Sequence, residues 1–170
     1  MAKLSFTKNK FPRLPLWSEL PNFDLHLDQL LDITNSFVEP LIEEKITKTM
    51  MHNYFKAGII EAPIKKKYER KQLAGAIVIG VLKNVFSLSE IEQGLCLILA
   101  DTSPAVGYDN FIKMFNEQSS QKAIKNPPMT SINLETTSGT TLVQYSAVQS
   151  VLFWFLARRI IQKNQVSMEK

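Results

Sequence analysis

Cysteine and histidine are nearly missing from this 170-residue chain, which has one cysteine, Cys96, and two histidines, His26 and His52. A single thiol excludes an intramolecular disulfide and a cysteine-rich zinc site. Two histidines so far apart argue against a histidine-built metal centre, so no metal and no cofactor are expected. Glycine and proline number only 6 and 8, too few for a collagen or a Gly/Pro-rich low-complexity chain. Long apolar runs are missing too. In Leu142–Ile161, fourteen of twenty residues are apolar, yet the longest unbroken run, Val151–Ala157, is seven residues. A bilayer crossing needs roughly 20. The N-terminus has lysines but no apolar core before Leu14, which argues against a secretory signal. A cytoplasmic protein without a membrane segment is the expectation. What remains is ordinary globular material, 45% hydrophobic and 21% charged, enough for about one domain.

The charge is unevenly placed. The net charge is +4, but residues 1–44 sum to −3 and residues 84–170 to zero. Residues 45–83 sum to +7, with nine lysines and arginines against Glu61 and Glu69 alone. A cluster of this kind is a footprint for nucleic acid or an anionic surface, the alternative being a solvated basic face.

Spacing divides the chain into an extended arm over 1–22, a module over 23–99 and a helical region over 100–170. Leu27, Leu30, Leu31, Thr34, Phe37 and Val38 recur at helical spacing, and Pro40 disfavours continuation. Thr47 can cap a helix over 48–57 that stops at Gly58. Ile59–Tyr68, turning at Pro63, reads as a small β-hairpin. A helix over about 70–85 follows. Ser87 and Glu90 then form a capping box for a helix to about Leu99. A fifth helix is expected from Pro104 to about Ala123. Residues 124–139 read as a loop with room for one short strand, and a final helix runs over 141–163.

The helix at 48–57 carries the chemistry. At about 100° per residue, Lys48, His52, Lys56, Thr49 and Asn53 share one arc of about 140°, and the apolar residues fill the opposite side. The polar arc holds no acid. Lysine reaches phosphates or guanine edges, asparagine can pair with adenine, and threonine can donate to phosphate. Lys65, Lys66 and Lys67 would add a basic element beside it. Tyr68 either donates its hydroxyl to phosphate or packs inward against Leu73.

Thr47-Lys48-Thr49-Met50-Met51-His52-Asn53-Tyr54-Phe55-Lys56-Ala57-Gly58-Ile59-Ile60 resembles the recognition helix and following turn of MerR-type regulators. Tyr68, Leu73, Ile79 and Leu82 resemble the wing tyrosine and the next helix, and Phe86-Ser87-Leu88-Ser89-Glu90-Ile91 the opening of the helix after that. The segment from about Phe23 to Ile91 also resembles a bacterial family catalogued only as a domain of unknown function. The MerR resemblance implies a mostly α fold with a winged helix-turn-helix and a small β-hairpin wing, followed by a helical region. It further implies a DNA-binding transcriptional regulator. Lys48, Thr49, His52, Asn53 and Lys56 would enter the major groove, while Lys65, Lys66, Lys67 and Tyr68 hold the backbone. The metal-sensing cysteines of some MerR-type proteins have no counterpart.

The C-terminal half offers no catalytic constellation, so an enzyme is not expected. Asp101 and Asp109 read as capping acids, Cys96 as a small core residue, and Ser138–Thr141 lacks the lysine of a phosphate loop. Val151–Ala157 is apolar on every side and must be buried. A homodimer through the last helix is therefore expected. A small-molecule effector pocket between these helices stays open, with no residue arguing for it. The alternative function is a helical protein–protein interaction module that does not bind DNA.

Overall fold

The computed structural model describes residues 11–120 and 133–168, with side chains to 162. The first ten residues of the expected arm, the end of the fifth helix beyond 120 and most of the loop expected over 124–139 lie outside them. Among the described residues, six helices follow a single 3-10 turn (Trp17–Glu19). They are α1 (Leu27–Ile42), α2 (Lys48–Lys56), α3 (Arg70–Leu82), α4 (Leu88–Asp101), α5 (Pro104–Ser119) and α6 (Gly139–Met168).

α3 is the axis of the molecule. Ten of its thirteen residues are buried, on all sides rather than along one stripe. A helix apolar all round must be covered all round, and α1, α5 and α6 pack against it. One contiguous core reaches from Leu14 to Phe155. α1 and α3 approach closely at Gly80, where an added Cβ would sit 2.8 Å from Val38 Cγ1.

α1 runs through Pro40 to Ile42 instead of ending before it. Proline costs one helical hydrogen bond there, but Leu41 and Ile42 beyond it are buried, and that burial carries the helix on. Glu43 then ends α1 in the left-handed region, with φ 59°. Asn35 clamps the connection to α2. Its Nδ2 donates to the Ile46 carbonyl at 3.0 Å, and its Oδ1 accepts from the Ile46 N–H at 2.7 Å.

The mostly helical expectation stands, but the winged helix-turn-helix with a β-hairpin wing does not. Among the described residues there is no strand ladder, only two isolated bridges, Leu25 with Tyr68 and Ile64 with Lys67. The reason is local. The N–H groups of Ile59 and Ile60 both point to the Tyr54 carbonyl, so the first arm of the expected hairpin is spent closing α2. Pro63 has no N–H to give. Lys67 N–H reaches Ile64 O at 2.9 Å, closing a four-residue turn. Tyr68 exchanges both backbone bonds with Leu25, just ahead of α1.

α6 buries Val148, Val151 and Phe155 within the single chain. Phe153 is 53% exposed. The segment apolar on every side thus has one face in the core and one outside.

Candidate nucleic-acid interface

Thr47 opens α2 with its Oγ1 accepting the Met50 N–H at 3.2 Å. Met51 and Tyr54 anchor the helix in the core. Lys48, Thr49, His52, Asn53 and Lys56 are all exposed. The anchoring side is extended by Phe55, whose ring stacks on Tyr68 at 5.5 Å. That contact brings the 64–67 turn next to α2. Lys65, Lys66 and Lys67 are exposed on it.

Tyr68 itself is 5% exposed, and burial raises its hydroxyl pKa. It is a core residue holding the turn against the helix, and its place in the DNA-contact set is corrected accordingly.

The positive charge is less segregated in space than along the chain. Acids from the N-terminal segment fold onto the basic stretch. Lys48 Nζ lies 2.6 Å from Asp28, Lys67 Nζ 3.1 Å from Asp24, and Lys45 Nζ 3.8 Å from Glu39. Lys83, with a side chain only 9% exposed, meets Glu44 at 2.9 Å, and this contact holds the Glu44 carboxyl below its ordinary range. Lys71 pairs with Glu61 at 2.5 Å. Arg70 donates to the Pro21 carbonyl and lies over the Trp17 ring. Lys56, Lys65 and Lys66 remain without an ion pair among the described residues. The pairs of Lys48 and Lys67 are solvent-exposed. Such pairs contribute about 1 kcal/mol or less, so a phosphate can replace the carboxylate.

Lys65 and Lys66 have φ of 51° and 61°. Two consecutive positive φ values form a turn that asparagine and glycine fill with least strain. Two adjacent lysines there are locally unfavourable, sterically and by charge.

A second feature lies away from this surface. A cleft of about 450 Å³ opens between α3, α4, α5 and α6. Its wall is mainly apolar and includes Val78, Leu95, Ile98, Phe111 and Ala147. Two buried glutamines, Gln72 and Gln144, also line it. Gln144 stands out in the sequence only as a polar residue inside an apolar segment, and Gln72, which follows the charged Glu69-Arg70-Lys71, carries no such signal.

No helix among the described residues is long and apolar enough to cross a membrane. No curated protein and no solved structure matches the chain. The MerR-type likeness therefore finds no further support, whereas the likeness to an uncharacterised family does. The family model described as a domain of unknown function, DUF1836, matches residues 15–122, more than half of the chain, and the protein belongs to that family.

Proposed function

We propose that the exposed face of α2, with Lys65 and Lys66 beside it, binds double-stranded DNA and that the protein is a cytoplasmic transcriptional regulator. The observation that carries this reading is the acid-free face itself. Five exposed side chains on α2 are basic or neutral hydrogen-bonding groups, the types that contact phosphates and base edges. The unfavourable lysine pair in the 64–67 turn supports it, since local strain is kept where a function needs it. Lys56, Lys65 and Lys66 supply the phosphate contacts, and Lys48 and Lys67 join by exchanging Asp28 and Asp24 for phosphate. Asn53 and His52 read bases. A dimer through Phe153 and Ile161, exposed on α6, would present two such faces.

The test is fluorescence anisotropy of the protein with a random duplex, titrated from about 50 mM salt upward. The expected log K falls linearly with log salt, at a slope near −0.9 per phosphate contacted. Lys65→Ala/Lys66→Ala lowers affinity on every duplex and flattens that slope by about 2. Absence of binding at about 50 mM salt would sink the reading.

A second reading, a helical interaction module, rests on α4. That helix buries Ile91 alone and exposes Leu88, Leu97 and Leu99. It is the reading to pursue if the duplex is not bound.

A further inference from the structure

The cleft between α3, α4, α5 and α6 has a specific polar character. Gln72 is 2% exposed and Gln144 4%. Each spends half of its amide on the backbone. Gln72 Oε1 accepts from the Glu69 N–H at 2.8 Å. Gln144 Nε2 donates to the Gly107 carbonyl at 2.8 Å. Those bonds settle which end of each amide is oxygen and which nitrogen. They leave Gln72 Nε2, a donor, and Gln144 Oε1, an acceptor, with no partner among the described residues. Neither atom is sealed, because the sealed side-chain polar atom without a partner among those residues is Asn84 Nδ2. Both residues line the cleft.

The charged side chains that line the cleft, Glu61, Lys71 and Glu90, are already engaged. Lys71 and Glu61 satisfy one another, and Glu90 is engaged by Ser87 through its backbone N–H and its hydroxyl. Tyr108 donates its hydroxyl to the Pro15 carbonyl. The free donor and the free acceptor are thus set in a largely apolar wall. An ion entering such a site would give up its hydration to a largely apolar wall whose charged groups are already engaged. A saturated hydrocarbon would leave both amides unpaired.

We infer that the cleft binds a neutral, mainly apolar small molecule that accepts a hydrogen bond from Gln72 Nε2 and donates one to Gln144 Oε1, as a carboxamide does. The volume lies in the range of small-molecule sites. This inference is independent of DNA binding, because the cleft shares no residue with the exposed face of α2 or the lysine turn.

The probe is the uncharged dye N-phenyl-1-naphthylamine, whose emission rises in an apolar site. Titration with the intact chain is expected to saturate, and octanamide to displace the dye at about tenfold lower concentration than methyl octanoate. The ester has the same acyl chain as the amide but no donor for Gln144, and a site built to pair a polar group rejects the analogue lacking it. Gly94→Leu provides the control for location. A Cβ at Gly94 meets only Val143 Cγ1, at 3.9 Å, and leucine favours a helix over glycine, so the variant keeps the fold and fills the cleft. It is expected to lose dye binding by tenfold or more while its far-ultraviolet circular dichroism stays unchanged. Absence of dye binding by the wild-type chain, unchanged binding by a folded Gly94→Leu, or equal competition by amide and ester would each overturn the inference.

Discussion

At Gly80 the fold depends on the absence of a single methyl group. An added Cβ would lie 2.8 and 2.9 Å from the two γ-carbons of Val38, in a contact between the two most intimately packed helices. Gly80→Ala is expected to destabilise the protein by about 1–3 kcal/mol, the usual cost of overpacking, despite alanine's better helix propensity. Val38→Ala removes the clashing γ-carbons, so the double variant should be more stable than the sum of the two single losses predicts. Denaturant titrations of the four proteins in this cycle measure the coupling. Strict additivity would mean that α1 and α3 move apart to admit the methyl. Glu90 is the matching case on the surface. Hydrogen bonds from the Ser87 backbone and then its hydroxyl hold the Glu90 carboxyl below its ordinary value. Its contribution at the start of α4 is therefore complete above the unfolded glutamate value of about 4.3. It is lost as pH falls through the lower folded value. Glu90→Gln, which keeps an acceptor but does not titrate, is expected to flatten this part of the acid destabilisation. Thermal melts between about pH 6 and pH 3 give the comparison.

Among the elements, the turn between α1 and α2 decides how the candidate DNA face is held. Asn35 pairs both backbone groups of Ile46, doing with one amide what a strand neighbour does in a sheet. Asn35→Ala would leave a partly buried N–H and carbonyl without partners, at about 1–3 kcal/mol. Amide exchange of Ile46 and the first turn of α2 should quicken more than that of α3. Uniform acceleration would show that Asn35 matters only to global stability. This clamp also marks the boundary of what could be read in advance. The two faces of α2, the Thr47 cap and the Ser87–Glu90 cap were legible because each is written within one short stretch of chain. The hairpin was misread because its fate depended on distant groups. Tyr54 takes the N–H groups of its first arm, and Leu25, far back in the chain, pairs with Tyr68. Pro40 misled in the same way, as tertiary burial of Leu41 and Ile42 outweighed a local penalty. Gln144 was visible as a polar break in an apolar stretch, whereas Gln72 sits behind the charged Glu69-Arg70-Lys71 with no local signal, and the free atoms of both depend on packing among four helices, which no spacing encodes.

For the whole molecule, the N-terminal segment adds a seam between the family domain and the last helix, which also packs directly against α3, α4 and α5. Leu14 is fully buried, and Asn116 on α5 grips it by accepting its N–H at 2.8 Å and donating to its carbonyl at 2.9 Å. Asp109 accepts the Trp17 N–H at 2.7 Å, and the Tyr108 hydroxyl meets Pro15 O at 2.9 Å. On the other side, the Phe11 ring lies 5.6 Å from that of Phe155 on α6. Residues 11–17 thus form a seam between α5 and α6, and α6 begins after the matched family segment ends at residue 122. If the seam holds the two helices together, breaking its central grip must loosen both. Asn116→Ala leaves two backbone groups of Leu14 unpaired and is expected to cost about 2 kcal/mol or more. Exchange should accelerate at Leu14 and Trp17 first and next along the Val148–Phe155 face of α6, with α1 and α2 little changed. Glu19→Ala, which removes the exposed ion pair to Arg13 and the acceptor of the Leu16 N–H, should loosen the 3-10 turn alone. Faster exchange confined to residues 11–17 in Asn116→Ala would mean that α6 is held by α5 and α3 without the seam.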